Sequence, residues 1–521
     1  MKQSSVPHIL LQNITKTLYY KKMTNKVPFH ASLFFSLFSA ILVMLFSTCS
    51  PLYPINPWED ANVFMTIGKN MLHGMMPYRD LFDLKGLLLF ILHEWAAFFS
   101  PHSFLAIYVL QILCWFGFMT YSYKTMRLFC DTGIVFPFTC LIALLTIASD
   151  FYYYGDSVEE FCLPILSHSM YHFLLFVRGR KAPSWETGII IGIGIGIILW
   201  MKYSILTFYF GALLAVLYLA WRRAELPVVG RTVMWVVFGI LIVTVPVLGY
   251  ALYHGILADF MDVYFYSNIF RYHGLETRGQ MSWQEKTFPI IGYVIMLGLI
   301  WCSKARKDVR LFVFLSFAGT ASILAFFKIP VRNIYYYLVL AVFLPLLIYY
   351  VRRWRVSGKN LAVFAAVGVA ATLLNYNLMS LVQRSFSPKI MDIAEIINKS
   401  SCGERDVLLY RTGDRGIFLL TDCVPAVKHF FSVGVAYIPG EEEMQDAYLA
   451  SRKARFVITT DVLPEAAGYR LVYENRDDQK CVLIVHPLLY LWRLGYPHSL
   501  LQHFMEEPES VHTCLRLYER A

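Results

Sequence analysis

The sequence predicts an all-α polytopic membrane protein of about 11 or 12 transmembrane helices, with a small α/β domain at its C-terminus. Hydrophobic residues make up 57% of the 521 residues and charged residues only 16%, whereas a soluble protein carries about 25% charged residues. Long apolar runs recur as far as Val382, after which charged residues become regular. The composition therefore indicates an integral membrane protein that ends in a soluble segment.

The first apolar run sets the orientation of the N-terminus. Residues 1–28 are polar and basic, and an apolar run over residues 31–49 follows them. This run exceeds the apolar core of a signal peptide and is long enough to cross a bilayer. We therefore predict an uncleaved anchor that leaves residues 1–28 as a cytoplasmic tail.

The loops between the later apolar runs alternate in charge. One set is rich in lysine and arginine, and the alternate set comprises residues 150–160, 253–286 and 328–333. Because basic loops stay in the cytoplasm, the alternate set is expected on the outer side. The alternation holds if residues 86–100, a short run containing Glu94, form a re-entrant or interfacial helix. This interpretation gives 11 spans, and a full crossing at 86–100 would give 12.

Charge and cysteine content exclude two further classes. The net charge of +10 is explained by the basic cytoplasmic loops, so we expect no nucleic-acid partner. The ten cysteines include no CxxC pair and no spacing typical of metal ligands. We therefore predict no zinc or iron–sulfur site.

The chain divides into a transmembrane domain, residues 29–384, and a soluble domain, residues 385–521. In the soluble domain, patterning predicts helices near 388–399 and 441–454, strands at 407–410 and 456–459, and a strand pair, RLVYEN and CVLIVH, around Arg476. The charge alternation places this α/β domain outside the cytoplasm. Disulfides are stable there, so we expect pairing among some of four cysteines, Cys402, Cys423, Cys481 and Cys514.

The first outward loop, residues 50–102, carries more charged chemistry than any other part of the chain. Apolar residues recur at helical spacing over residues 61–72, which predicts an interfacial helix with its apolar face in the acyl boundary. Glu59 and Asp60 stand at the start of this helix, and Gly74 and Pro77 follow its end. Carboxylates at a helix start complement the helix dipole, so a purely structural role for the acidic pair remains open.

Two other outward loops hold acidic, aromatic and basic residues beside apolar helices. Ionisable groups in such places are commonly functional, although helix-start acids also serve as caps. The candidates outside the first loop are Asp156, Glu159, Glu160, Arg271, His273 and Tyr336.

The first outward loop resembles that of the GT-C glycosyltransferases. The shared features are an acidic pair, an amphipathic helix and the pattern G-x-x-P-Y-x-D-x-F-x-x-K, here running from Gly74 to Lys85. More closely, the loop looks like that of the branch containing protein O-mannosyltransferases and lipid A aminoarabinose transferases. This chain departs from the branch in reversing the order of the acidic pair and in having Gly86 and Leu87 where the branch often has two prolines. The reversal leaves the choice of base between Asp60 and Glu59 open.

The resemblance implies a GT-C fold and transfer of a sugar from a polyprenyl-phosphate carrier to an acceptor hydroxyl, with inversion. The acceptor would be an envelope lipid, glycan or protein at the outer face of the inner membrane. Asp60, or else Glu59, would accept the acceptor's proton. Cations would offset the charge of the leaving phosphate, in the order Lys85, Arg271 and Arg79. The candidate substrate-binding residues are Asp83, Asp156, Glu159, Glu160, His273 and Tyr336. No metal is required, although the acidic pair could hold a divalent ion.

Two other functions compete with sugar transfer. A transporter or flippase of lipid-linked glycans would typically show inverted repeats and charges at mid-membrane, and neither pattern is visible. An O-antigen polymerase or ligase is also a many-spanning protein with outward loops. Such proteins usually place the large functional loop late in the chain, whereas the densest loop here is the first.

Overall fold

The computed structural model describes residues 27–179, 183–271, 308–328, 334–349, 358–373, 389–400, 406–432, 440–464, 467–474 and 515–520, with scattered positions in 294–301 and 375–381. Its first half contains α1 (Phe29–Phe46), α2 (Glu59–Met71), α3 (Leu87–Phe99), α4 (Leu105–Arg127), α5 (Val135–Ile147) and α6 (Val158–Val177). Next come α7 (Trp185–Lys202), a 3₁₀ turn (Tyr203–Leu206), α8 (Thr207–Arg222), α9 (Leu226–Tyr253) and α10 (Leu257–Met261), which continues as a π-helix (Asp262–Arg271).

The later membrane segments are shorter and less regular where they are described. They comprise α11 (Val309–Phe314), a π-helical turn (Leu315–Gly319), α12 (Thr320–Lys328), a 3₁₀-helix (Ile334–Leu347) and α13 (Gly358–Thr372). Among the described residues, five helical segments are long and apolar enough to cross a bilayer: Phe29–Phe46, Leu105–Arg127, Val158–Val177, Trp185–Arg222 and Leu226–Tyr253. The chain is therefore a mostly helical, multi-pass membrane protein, as its composition predicts.

Helix α3 occupies the run whose placement decides the topology. It has 13 residues, fewer than the roughly 20 that a transmembrane helix needs. Helices α1 and α4 run in opposite directions, because Ser39 contacts Met119 while Ser47, nearer the end of α1, contacts Gln111, nearer the start of α4. The chain between α1 and α4 therefore leaves and re-enters the bundle at one end, which supports a re-entrant or interfacial α3.

Helices α7 and α9 pack closely and run in the same direction. Gly188 on α7 faces Trp235 on α9, and further toward the C-terminal end of both helices Gly196 faces Val243. A Cβ on Gly192 would lie 2.1 Å from the carbonyl oxygen of Val236, so the absence of a side chain permits this approach. Because α7 and α9 are parallel, α8 has to run in the opposite direction to both. The chain reverses its direction at the 3₁₀ turn between α7 and α8.

The C-terminal domain contains a five-stranded sheet. Its strands are β1 (Asp406–Tyr410), β2 (Val424–Pro425), β3 (Phe456–Thr459), β4 (Tyr469–Glu474) and β5 (Arg516–Arg520), in the order β2-β1-β3-β5-β4. Strand β1 is parallel to β2 and β3, and β5 is antiparallel to β3 and β4. The domain's helices are α14 (Lys389–Lys399), α15 (Ile417–Leu420) and α16 (Glu441–Ala450). The predicted α/β character of this domain is confirmed.

Two predictions for the C-terminal domain fall partly outside the described residues. The second strand of the predicted pair, residues 481–486, lies there, and the described neighbour of β4 is β5 instead. Cys402, Cys481 and Cys514 also lie outside the described residues, and Cys423 is buried. Disulfide formation therefore stays a prediction.

Helix α2 is present as predicted, but neither of its faces is open. Every residue from Ala61 to Met71 is buried, whereas an interfacial helix would leave its polar side in water. The C-terminal domain covers that side: the Lys69 ammonium donates to the carbonyl oxygens of Phe418, at 3.0 Å, and Thr421, at 2.8 Å. The amphipathic pattern thus reflects two protein neighbours rather than lipid and water.

Candidate active site

The acidic pair begins α2. Trp58 has an extended backbone and precedes the first turn, which holds both Glu59 and Asp60. One carboxylate oxygen of Asp60, Oδ2, lies 3.5 Å from the Lys85 ammonium and accepts a hydrogen bond from the Tyr335 hydroxyl at 3.1 Å. The Asp60 side chain is still 31% exposed. The site therefore presents an accessible carboxylate that is held against a cation.

The position of Lys85 is fixed by the loop that carries it. Its backbone N–H donates to Asp83 Oδ1 at 2.8 Å, and its carbonyl accepts from the Tyr78 hydroxyl at 2.7 Å. Its ammonium lies 5.4 Å from the centre of the Phe64 ring, within the range of a cation–π contact. Burial alone would lower the pKa of Lys85, but the carboxylates of Asp60 and Asp83 outweigh it and raise that pKa. The two carboxylates therefore favour the charged form of Lys85.

The Asp83 carboxylate is hydrogen-bonded within the loop that carries Lys85. Its side chain is buried, with Oδ1 occupied by the Lys85 N–H. Burial raises the pKa of Asp83, while the Lys85 ammonium opposes that shift. The structure thus ties Asp83 to the Lys85 backbone, and substrate binding by Asp83 stays a prediction.

Glu59 faces a different environment from Asp60. A Cβ built on Gly413 of the C-terminal domain would lie 2.1 Å from the Glu59 carboxyl carbon, so the two residues are in close contact. Burial raises the pKa of Glu59, and the Arg415 guanidinium opposes that rise. The neighbouring Asp60 carboxylate raises the pKa of Glu59 further. Both acids are half-buried, and Asp60 is the one that lies against the Lys85 ammonium.

A second ion pair lies next to the first cluster. The Lys202 ammonium is 2.5 Å from Glu159 Oε1 and lies 3.5 Å from the centre of the Tyr336 ring. Tyr335, which holds Asp60, is also near Lys202, at 5.6 Å. A mainly apolar cavity extends from this pair and is lined by Leu166, Ile205, Phe208 and Val339, among others. Glu159 and Tyr336 were candidates from the sequence, and the structure brings them beside the Asp60 cluster.

Lys202 was not among the sequence candidates, although a signal was present. It is a single lysine between two apolar runs, at the end of α7 that meets Tyr336 and Glu159 rather than the basic loops. A lysine outside the basic loops has no topological reason in the charge alternation. Such a residue is therefore a functional candidate in its own right.

Asp156 and Glu160 lie in a buried polar network. His93 Nε2 lies 3.1 Å from Asp156 Oδ1. Glu160 accepts hydrogen bonds from Gln111 and Trp115, both at 2.8 Å, and from the Asp156 N–H at 3.0 Å. Burial raises the pKa of Asp156, which His93 opposes. These contacts join α3, α4 and the start of α6. Contact of Asp156 and Glu160 with substrate stays a prediction.

The predicted arginines lie apart from Asp60. Arg79 pairs with Asp80 at 2.8 Å and donates to the His254 carbonyl, and Arg271 pairs with Asp262 at 2.9 Å. Both arginines are partly exposed, and within the described residues neither makes a polar contact with Asp60 or Lys85. His273 lies outside the described residues. Among the described residues, Lys85 lies against Asp60, and Lys202 lies against Tyr335 and Tyr336. Phosphate binding by Arg79 or Arg271 stays a prediction.

The structure provides no ready metal site in its described part. Within residues 27–179, 183–271 and the later described ranges, no three His, Cys, Asp or Glu side chains are grouped to hold a metal ion. The acidic pair itself is divided, with Asp60 toward Lys85 and Glu59 toward Gly413.

Comparisons with known proteins identify the fold. No protein-family model and no curated protein matches the sequence. The crystal structure of ArnT from Cupriavidus metallidurans bound to undecaprenyl phosphate matches with a TM-score of 0.56 at 12% sequence identity, covering 84% of this chain and 95% of the ArnT chain. The apo state of ArnT matches with the same values. ArnT is a lipid A aminoarabinose transferase of the GT-C fold, and this chain is therefore a multi-pass membrane protein with the ArnT-like GT-C fold that its first outward loop predicted.

Proposed function

We propose that this chain is a membrane glycosyltransferase that moves a sugar from a polyprenyl-phosphate carrier to a hydroxyl of an envelope lipid, glycan or protein. The observation that carries the proposal is the contact between the accessible Asp60 carboxylate and the Lys85 ammonium within a GT-C fold. Transfer needs a base for the acceptor and a cation for the leaving phosphate. The fold neighbour bound to undecaprenyl phosphate supports a polyprenyl lipid as the donor carrier.

The proposed reaction is a single inverting displacement. Asp60 accepts the proton of the acceptor hydroxyl while the oxygen attacks the anomeric carbon, and the bond to the phosphate oxygen breaks on the opposite face. The electron pair of that bond goes to the departing polyprenyl phosphate, whose charge Lys85 offsets. Lys85 and Tyr335 both approach Asp60 Oδ2, so Oδ1 is the oxygen placed to receive the proton.

Lys202 is the second candidate for the donor side. Its ammonium lies beside Tyr336, and Lys202 lines a mainly apolar cavity together with Leu166 and Phe208. A polyprenyl phosphate combines an anionic head with an apolar chain, and a cavity lined by a cation and by apolar side chains suits both parts. Glu159 neutralises Lys202, so Lys85 remains the first choice for the phosphate.

We further propose that the acidic loop and the C-terminal domain lie outside the cytoplasm, at the cytoplasmic membrane of the cell. The alternation of basic loops supports this orientation. Alkaline phosphatase, which folds outside the cytoplasm, is expected to be active when it is fused after Val382. A reporter that works only in the cytoplasm should be inactive at the same position, and its activity would contradict the orientation.

The function is tested with purified protein in nanodiscs. We expect it to consume a polyprenyl-phosphate sugar and to release polyprenyl phosphate when an envelope-lipid or glycan extract is present, and Asp60→Ala should be inactive under the same conditions. Mass spectrometry of the products identifies the sugar and the acceptor. Movement of a lipid-linked glycan across the bilayer without a covalent change would instead favour a flippase, and polymerisation of lipid-linked glycans would favour an O-antigen polymerase or ligase.

A further inference from the structure

One stretch of the C-terminal domain, residues 413–428, follows the acidic loop along its length. Asp414 Oδ2 accepts a hydrogen bond from the Thr66 hydroxyl at 2.6 Å. Lys69 donates to two carbonyl oxygens around α15, and the Phe82 N–H donates to the Lys428 carbonyl at 2.9 Å. The domain is therefore attached both to α2 and to the loop that carries Lys85.

The closest of these approaches is at the acidic pair itself. A Cβ on Gly413 would lie 2.1 Å from both Cδ and Oε1 of Glu59, a separation that would overlap their van der Waals radii. Gly413 is not among the glycines with positive φ, so the site needs glycine for space and not for backbone conformation. Arg415, two residues further on, places its positive charge near the same carboxylate.

We propose that residues 413–415 of the C-terminal domain are a positioning element of the catalytic centre, and that they act by holding Glu59. Glu59 is then a positioning residue, and Asp60 is the base. The inference rests on the proposed function. Glu59 and Asp60 are consecutive residues of the first turn of α2, so the contact of the Glu59 carboxyl group with Gly413 ties that turn to the C-terminal domain. A methyl group on Gly413 would push the Glu59 carboxyl group out of this place, and the turn that carries Asp60 would lose its anchor. Reacting groups are sensitive to such shifts, since a misplacement of about 1 Å can cost about a hundredfold in rate.

The anchoring of residues 413–415 is itself rigid. Asp414 is fully buried, and its second oxygen accepts from the Gly416 N–H at 2.8 Å. One carboxylate thus fixes the turn of its own segment and also binds Thr66 on α2. Because Asp414 lies directly between Gly413 and Arg415, it holds both neighbours against Glu59.

The test is a double-mutant cycle between Gly413 and Glu59 in the full-length protein. Gly413→Ala is expected to lower kcat by about tenfold or more with little change in KM for the polyprenyl-phosphate sugar. In a Glu59→Ala background, the same change should have little further effect on kcat, because the side chain that the new methyl group displaces is gone. Gly133→Ala is the control, since its Cβ would meet nothing within 4 Å; it should leave kcat unchanged in both backgrounds.

Thermal unfolding of the same variants separates this inference from the proposed function. Glu59→Ala should reduce the loss of Tm caused by Gly413→Ala, whether or not the acceptor has been found. If Gly413→Ala alone is too unstable to purify, successful purification of the double variant supports the contact, and failure to purify either variant overturns it.

The kinetic measurement has its own contrary outcomes. The positioning role is overturned if Gly413→Ala keeps the wild-type kcat, or if Gly413→Ala lowers kcat equally in both backgrounds. If the variants show the thermal coupling but the wild-type protein transfers no sugar, the proposed function is contradicted and the positioning role of Glu59 falls with it.

Discussion

Asp60→Asn is expected to lower kcat for sugar transfer by about 10²–10⁴-fold, the usual contribution of a general base. Asparagine keeps the volume of the side chain and can still accept from Tyr335, which lies 3.1 Å from Oδ2. It has no carboxylate to take the acceptor's proton. The fold and the affinity for the donor should therefore change little. The measurement is kcat and KM with a polyprenyl-phosphate sugar, together with binding of undecaprenyl phosphate to the same preparation.

Glu59→Gln is the matched variant for the Asp60 prediction. It removes the neighbouring charge but retains the side-chain volume against Gly413, so we expect most of the activity to remain. If Glu59→Gln lost activity and Asp60→Asn kept it, the base would be Glu59. If both variants turned over at the wild-type rate, neither acid would be the base and the glycosyltransferase proposal would be contradicted.

Lys85→Met is expected to reduce turnover by about a hundredfold or more, because one fixed electrostatic contact to developing charge is commonly worth that factor. Methionine retains the length and apolar character of the lysine stem, so packing near Phe64, 5.4 Å from the ammonium, is largely preserved. The substitution deletes the cation beside Asp60 and the leaving phosphate. Lys85→Arg should be milder, because it retains the charge and changes only the geometry of the contact.

Arg271→Met is the control for the loss of a cation. Arg271 is paired with Asp262 at 2.9 Å and its side chain is 55% exposed, so we expect only a small change in turnover. Turnover is measured for both variants with the same polyprenyl-phosphate sugar in nanodiscs. Wild-type turnover in Lys85→Met would reduce Lys85 to an anchor at the membrane surface, and a larger loss in Arg271→Met would transfer the phosphate role to Arg271.

The sequence by itself determined the class of protein, the order of its segments and most of the candidate residues. Apolar content and the alternation of basic loops are properties of each segment relative to a bilayer, and they can be evaluated without knowing what the segment touches. The same holds for the helix at Glu59–Met71 and for the short helix at Leu87–Phe99, because helical spacing and length are local. The pattern from Gly74 to Lys85 also identified the fold, through its resemblance to a family.

Only the tertiary structure decided what each acid faces. Asp60 lies against Lys85 and Tyr335, whereas the adjacent Glu59 contacts Gly413 of the other domain. Asp156 and Glu160 look equally suited to bind substrate in the sequence, yet His93, Gln111 and Trp115 bury them. Each of these contacts joins residues far apart in the chain or on different elements. Such pairs are set by how helices and domains pack, and the local pattern that predicts a helix holds no information about the partner that will cover each of its faces.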